Sequence, residues 1–484
     1  MSADEFDVLI IGAGISGIGI ACRLAREFPE RRIAILERRH AVGGTWDLFR
    51  YPGIRSDSDM FSYAYDLFPW LKPEILAGGE QIRTYLDETI EEYGVREWIR
   101  FGQSVRSADW DSQTATWTVA ATDERSGEER QYSTRFLVAC TGYYDQERGY
   151  LPDYPGIDEF AGELVHPQHW PEGLDYEGKS VVVIGSGATA ATLVPAMAGD
   201  AGHVTMLQRS PSYYFEIPSR DIVFAMLRPL LPARLAARAA RKRSHVLQYI
   251  LYGASRRWPN LVRRLLLHRV RKAAGPDVDM RHFTPRYSPW EERLCILPEG
   301  DLLDAVRDGA VSIVTDTIET FTENGIRLES GQELAADIVV SATGFNLRAF
   351  GGMRLSVDGQ HREPSELMTY KAVLVEDMPN LAVIFGYINF SWTAKVDIAG
   401  EYLCRLLRHL DATGKRVAIP RTDALHKRDD SIMNALQSGY VERGAAALPR
   451  QGDSGPWHVR HDFRSDRRML LHEPIDDGVL ELRD

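Results

Sequence analysis

The sequence predicts an α/β protein with two similar βαβ units and a helical insertion in the second. Two observations carry this expectation. An apolar strand running into a glycine-rich turn and then a helix occurs twice, at Asp7–Phe28 and again from Ser180. A Leu-, Ala- and Arg-rich stretch without strand character follows the second occurrence. With 484 residues, 44% hydrophobic and 26% charged, the chain has the composition of a multidomain globular protein and can bury a large core. The cysteines Cys22, Cys140, Cys295 and Cys404 lie far apart, without metal-ligand or CxxC spacing, so no metal site is expected. The net charge of −12 argues against nucleic acid as a partner. The apolar run Val8–Cys22 is shorter than the ~18–20 residues of a membrane span and lacks the basic leader of a signal peptide, so a cytoplasmic location is expected.

In the first unit, Asp7–Ile11 reads as a buried parallel strand, Ile18–Phe28 as a helix and Ile33–Leu36 as the next strand, ending in Glu37. Between strand and helix stands Gly12-Ala13-Gly14-Ile15-Ser16-Gly17. Gly12 permits the tight turn, Gly14 lets a pyrophosphate approach the backbone, and Gly17 lets the helix pack on the strand. A carboxylate 20 positions on, Glu37, suits a free ribose diol. In the second unit, the strand Ser180–Ile184 runs into Gly185-Ser186-Gly187-Ala188-Thr189-Ala190. Its second strand, His203–Leu207, ends in Gln208-Arg209-Ser210. Arginine at the ribose-reading position suits a 2′-phosphate. The two units therefore read as Rossmann-like domains. The first suits FAD or an NAD-type dinucleotide and the second NADPH, which implies electron transfer from nicotinamide to flavin.

Two further strands, Arg135–Cys140 and Asp337–Ala342, each run into Thr-Gly and read as crossovers between domains. The expected division is a first FAD-domain segment at 1–145, a linker at 146–175 and an NADPH domain at 176–335 with its insertion at about 216–280. A returning FAD-domain segment follows at 336–440. A polar C-terminal extension, 441–484, is expected to wrap the surface.

The linker holds Phe160-Ala161-Gly162-Glu163-Leu164-Val165-His166-Pro167-Gln168-His169-Trp170-Pro171, which fits FxGxxxHxxxWP at every fixed position. This resembles the fingerprint of Baeyer–Villiger monooxygenases, within the class B flavoprotein monooxygenases. Gly43-Gly44-Thr45-Trp46 and Tyr51-Pro52-Gly53-Ile54-Arg55-Ser56-Asp57 resemble the flavin-side segment of that family. His282–Trp290, Arg293-Leu294-Cys295 and Asn389–Thr393 resemble a subgroup that includes actinobacterial thioamide-oxidising enzymes. The resemblance runs from about residue 5 to about residue 410.

What it implies is insertion of one oxygen atom beside a ketone carbonyl, giving an ester or lactone through a flavin C4a-peroxide. NADPH and O2 are consumed, and sulfides are oxidised as well. By position, Arg293 takes the role of the fixed positive charge beside the flavin, with Arg286 a nearby competitor. Asp57 becomes its partner, with Asp59 and Asp66 as rivals. Gly44, Thr45, Ser16, Trp46 and Asp57 are assigned to the flavin, Val105 to a backbone contact near the adenine, and Arg55 and Ser56 to the nicotinamide end of NADP. Phe160, Gly162, His166 and Trp170 are assigned to the interdomain linker, with His166 structural and not a general base. An N- or S-oxygenating flavin monooxygenase shares the glycine motifs, and a non-oxygenating NADPH-dependent flavin reductase shares the cofactors.

Of the 57 basic and 69 acidic residues, 14 basic and two acidic ones fall between Glu216 and Lys272. Within this segment Leu230, Leu231, Leu235 and Ala239 fall near helical spacing, with Arg234, Arg238, Arg241 and Arg243 as polar positions. The favoured expectation is an insertion that packs one face, solvates the other and, by the resemblance, roofs the substrate cavity. The alternative is a peripheral membrane contact through 221–272.

Overall fold

The structure is a computed structural model that describes residues 4–292, 294–422, 427–433 and 438–484. The chain opens with β1 (Asp4–Ile11), α1 (Ile15–Glu27) and β2 (Ile33–Glu37), followed by β3 (Ile99–Phe101). β4 (Gln103–Asp111), β5 (Thr116–Asp123) and β6 (Glu129–Ala139) complete the first passage. β1 lies between β2 and β6 and is parallel to both. Val8, Leu9 and Ile10 are buried, as a strand covered on both faces requires. β4, β5 and β6 form an antiparallel meander.

The second sheet uses β7 (Glu163–Val165), β8 (Ser180–Ile184), α2 (Ala188–Met197) and β9 (His203–Gln208). The insertion follows as α3 (Ile222–Leu227), α4 (Ala233–Arg257) and α5 (Pro259–Ala274). β10 (Val311–Thr315) and β11 (Ile338–Ser341) finish the sheet, in the order β10-β9-β8-β11-β7, all parallel. Two expected boundaries therefore move. β7 falls in the presumed linker and β11 in the presumed returning segment, yet both are strands of the second sheet. The return begins after Ser341, because the apolar strand before Thr343-Gly344 pairs with its own glycine-turn strand β8.

The returning chain adds β12 (Arg354–Val357), β13 (Gln360–Arg362) and β14 (Leu381–Val383) to the first sheet. β12 is parallel to β4, and β14 is parallel to β6. α6 (Trp392–Thr413) then packs on α1, and β15 (Val417–Pro420) follows. The segment expected to wrap the surface instead enters the core. α7 (Phe463–His472) packs on α6, and β16 (Leu480–Arg483) pairs with β15. Trp457 and Leu470 are buried in the same cluster as α1, and Asp466 meets Lys395 at 2.8 Å in a buried ion pair. A few apolar anchors on a polar segment suffice for this, and their spacing gives no periodic signal.

The insertion also differs from expectation at one arginine. Arg241, read as a polar surface position, is buried and meets Asp397 of α6 at 2.6 Å, with Arg23 of α1 at 3.7 Å from the same carboxylate. Its second nitrogen donates to the Ala64 carbonyl. The insertion is therefore bolted to the first domain by charge as well as by apolar contact. Among the described residues no helix is long and apolar enough to cross a membrane.

Candidate active site

Both glycine turns open into one cavity of about 1820 Å³, above the ~300–1,000 Å³ typical of a single small-molecule site. The turns are built alike. Gly12 has φ +101°, and a Cβ there would lie 2.7 Å from the Cys140 carbonyl oxygen; Gly185 has φ +137°, with the Ala342 carbonyl oxygen at 2.5 Å. Each first glycine thus lets its turn lie against the end of the neighbouring strand. A Cβ on Gly17 would fall 1.9 Å from the Gly12 carbonyl oxygen, so helix-to-turn packing forbids any side chain there. Ala190, the equivalent in the second unit, is buried and tolerated.

Gly14 and Gly187 stand at the N-caps of α1 and α2 with extended backbone and no side-chain cap. The first helical bonds are Ile18 N–H to Gly14 O and Ala191 N–H to Gly187 O, which leaves the first-turn N–H groups turned toward the cavity end of each helix. Neither first turn holds an acidic residue. Such an end suits a pyrophosphate. Gly43 and Gly44 face Gly14 across the opening, and a Cβ on Gly44 would lie 3.1 Å from the Gly14 Cα. Thr45 and Trp46 continue this wall.

Glu37 sits at the end of β2, buried at the cavity edge. Ala13 N–H donates to one carboxylate oxygen at 2.7 Å and Arg39 N–H to the other at 2.8 Å. The residue therefore holds the glycine turn as well as facing a ribose position. Burial pushes its pKa up, opposed by these two N–H groups. Val105 lines the cavity beside a bulge in the β4–β5 pairing. Ser16 lines it too, and its hydroxyl accepts from the Trp392 indole N–H at 2.8 Å. The Trp46 indole N–H donates to the Tyr63 hydroxyl at 2.9 Å. Tyr143, Phe385 and Trp392 pack together into an aromatic wall.

At the second turn, the Ser186 hydroxyl donates to the Ser210 carbonyl at 2.8 Å, tying the turn to the end of β9. Arg209 is exposed on the cavity rim, with no ion-pair partner among the described residues. Gln208 does not share this position. It is buried, and its amide N–H groups donate to the His282 carbonyl at 2.7 Å and the Thr315 hydroxyl at 2.9 Å. Its assignment to the cofactor is therefore corrected to a structural role. Sequence position at the strand end does not reveal that its side chain turns inward.

Two contacts join the units across the cavity. Arg55 meets Asp301 at 2.6 Å, and its other terminal nitrogen is buried without a partner among the described residues. Tyr51 hydrogen-bonds Thr189 of α2. The Ser56 hydroxyl closes a local turn with Ser58 and so presents Asp57 to the cavity. Of the rivals to Asp57, Asp59 is committed to capping the short helix Met60–Tyr63, accepting from Phe61 N–H at 2.8 Å. Burial pushes the pKa of Asp59 up. Asp66 does not line the cavity among the described residues. Arg293 lies outside the described residues; its neighbours Glu292 and Leu294 line the cavity. Arg286, its competitor, is exposed and is not on the cavity wall.

The fingerprint residues Phe160, Gly162, His166 and Trp170 do not line the cavity, although earlier linker residues such as Tyr150 and Tyr154 do. His166 Nδ1 accepts from Gln168 N–H at 3.1 Å, so Nε2 carries the proton and donates to the Gly344 carbonyl at 3.2 Å. Burial lowers its pKa, keeping it neutral. His166 thus ties the outgoing crossing to the returning one. Phe160 packs edge-on against Phe321, and a Cβ on Gly162 would lie 2.4 Å from the Phe160 ring. Trp170 packs against the core of the second domain.

Sequence reasoning missed Trp392 as a site residue, Asp301, and Arg443. The Arg443 guanidinium lies 3.5 Å over the Tyr150 ring on the cavity wall. Its pKa is lowered by burial and by the nearby Arg209, the Tyr150 phenol opposing. Trp392 lies in the Asn389–Thr393 segment of the resemblance, which gave it no role at the site; no motif marks Asp301 or Arg443, and only folding brings them to the turns.

A protein with two such cradles facing one another belongs with the dinucleotide-dependent flavoproteins, and comparison places it more closely. The profile of the flavin-binding monooxygenase-like family matches residues 6–220. MymA of Mycobacterium tuberculosis, named as an FAD-containing monooxygenase, is 56% identical over 480 residues, covering 98% of this chain and 97% of the relative. FAD-containing monooxygenase EthA of the same organism is 44% identical over 479 residues, covering 99% and 97%. The chain belongs to this family of flavin monooxygenases. Its fold is that of steroid monooxygenase bound to NADP, with a TM-score of 0.78 at 20% identity over 99% of this chain and 100% of that one. Cyclohexanone monooxygenase from Rhodococcus sp. Phi1 bound to NADP+ gives a TM-score of 0.75 at 20% identity over the whole of both chains.

Proposed function

We propose that the protein uses NADPH and O2 to insert one oxygen atom beside a ketone carbonyl, giving an ester or lactone, NADP+ and water. The observation that carries this reading is the single cavity onto which both helix N-termini open, so that two dinucleotides meet within it. FAD, when bound, would pass two electrons from NADPH to O2, which is the source of the transferred oxygen atom.

The chain supplies position and charge. The N-terminus of α1 and Glu37 hold the flavin dinucleotide by pyrophosphate and ribose. The N-terminus of α2 and Arg209 hold NADPH, and Arg443 adds a second cation near the 2′-phosphate position. Tyr51–Thr189 and Arg55–Asp301 keep the two cradles in register, which the transfer of a hydride across a few ångströms requires. The aromatic wall around Trp392 excludes water. Asp57 and Arg293 complete the site in this reading: the guanidinium stabilises negative charge on the oxygen donor, and the carboxylate orients the guanidinium.

The test is product analysis with a cyclic ketone, NADPH and O2 for wild type and Arg293→Ala. Wild type should yield the lactone. The variant should lose about 10²–10³-fold of lactone formation while still oxidising NADPH and releasing hydrogen peroxide. No lactone from wild type, but sulfoxide from a sulfide, would make it a sulfur oxygenase. NADPH oxidation only with an added electron acceptor would make it a reductase.

A further inference from the structure

The helical insertion leaves a large apolar surface uncovered. Met226 on α3 is 66% exposed and Leu230 just beyond it 77%. Leu247 and Ile250 on α4, Trp258 between α4 and α5, and Leu265 on α5 are all more than half exposed. Single exposed apolar side chains need no explanation, but their concentration on three consecutive, mutually packed helices does.

Charge identifies what this surface faces. The two acids of the segment are turned inward: Asp221 is buried against Arg243, and Glu216 lies 3.8 Å from Arg269. Arg228, Arg238, Lys242, Arg256, Arg264 and Lys272 are exposed. The insertion is thus a basic face on an otherwise acidic protein. At about 100° per residue along α4, Leu235, Val246 and Ile250 fall in one exposed stripe and Arg238, Lys242 and Arg256 in the stripe beside it. An apolar stripe flanked by cations is what an anionic lipid interface takes up.

We propose that α3–α5 form a docking surface for an anionic lipid bilayer, and that the active-site cavity opens through it. Leu247, Ile250 and Leu265 are at once exposed and part of the cavity wall, together with Leu251, Val262 and Leu266 deeper inside. Protein docked this way takes an apolar, long-chain carbonyl substrate from the membrane without passing it through water. That substrate class rests on the oxygenation proposed above; the docking itself does not.

The full-length protein is sedimented with vesicles of phosphatidylcholine containing phosphatidylglycerol, and separately with vesicles of phosphatidylcholine alone. Wild type should bind the anionic vesicles, and salt should weaken this. Met226→Glu/Leu230→Glu and Arg256→Glu/Arg257→Glu should each weaken binding by about tenfold or more, at ~1 kcal/mol per surface charge. Both should retain wild-type turnover of a short, water-soluble ketone and lose rate on a long-chain ketone carried in the vesicles. No binding, equal binding to both vesicle types, or binding unchanged in both variants overturns the proposal. So does a wild-type dimer by light scattering that becomes monomeric in Met226→Glu/Leu230→Glu, which would make the surface a self-association face. If wild type oxygenates neither ketone, the function reading fails, and sedimentation, which needs no turnover, judges the docking alone.

Discussion

Arg209 shows how much one side chain decides in this protein. It is exposed at the end of β9, where the proposed reading puts the NADPH ribose, and it forms no ion pair among the described residues, with Glu292 near enough to feel its charge. A charge-assisted bond to a 2′-phosphate contributes roughly 1.5–3 kcal/mol. Arg209→Ala should therefore raise KM for NADPH about 10–100-fold and leave KM for NADH nearly unchanged, as steady-state NADPH oxidation will show. His245 of α4 makes a different case. It packs against the Phe390 and Phe463 rings, its Nε2 is buried without a partner among the described residues, and burial, with Arg241 adding to it, lowers its pKa to about 3. The folded pKa lies below the unfolded value near 6.5, so this group's stability contribution is full above pH 6.5 and is lost as pH falls toward 3. The loss should reach about 1–2 kcal/mol by pH 5. His245→Phe should flatten that part of the melting-temperature profile between pH 7 and 5. Residues with local reasons were legible in the sequence: Gly12, Gly14 and Glu37 are fixed by a short strand–turn–helix geometry. Gln208 and Arg241 were misread because their partners, Thr315 and Asp397, lie far along the chain.

At the scale of elements, the two glycine turns separate folding from binding. Gly17 has no room for a Cβ, since the Gly12 carbonyl would be 1.9 Å away. Gly17→Ala should destabilise the first domain by about 3 kcal/mol or more and release flavin, visible as lost absorbance near the visible bands after gel filtration. Gly187 has open space around it and a φ of −77°, which alanine adopts freely. Gly187→Ala should leave the melting temperature within about 1–2 °C while raising KM for NADPH, because the methyl group would stand where pyrophosphate approaches. The strands and helices of both units were legible because apolar runs and turn residues are local signals. β7 and the C-terminal elements were not. A three-residue strand has no periodicity, and α7 is anchored by few apolar side chains on a polar face.

For the molecule as a whole, the cavity belongs to neither domain alone. Arg55–Asp301 joins the walls at the mouth between the units, so loosening it should disturb both halves of the reaction. Asp301→Asn should raise KM for NADPH and lower kcat together, a pattern that stopped-flow measurement of hydride transfer will locate before the oxygen step. The inserted arrangement of domains was legible from two matching strand ends, Thr141-Gly142 and Thr343-Gly344. The face of the insertion left uncovered was not, because sequence shows amphipathic spacing without showing which stripe finds a neighbour.

The interrupted first sheet also constrains how the protein is made. β14 joins β6 only after the whole NADPH-binding domain has been synthesised, since some 240 residues separate them in the chain. Until then, the apolar end of β6 has an unpaired edge on a growing ribosome-bound chain. The inserted domain, whose five sheet strands all lie between Glu163 and Ser341, can close first and bring the two crossings side by side through His166 and Gly344. In this order of assembly the second domain acts as a jig for the first, and the flavin cradle gains its full sheet only once β14 has been made.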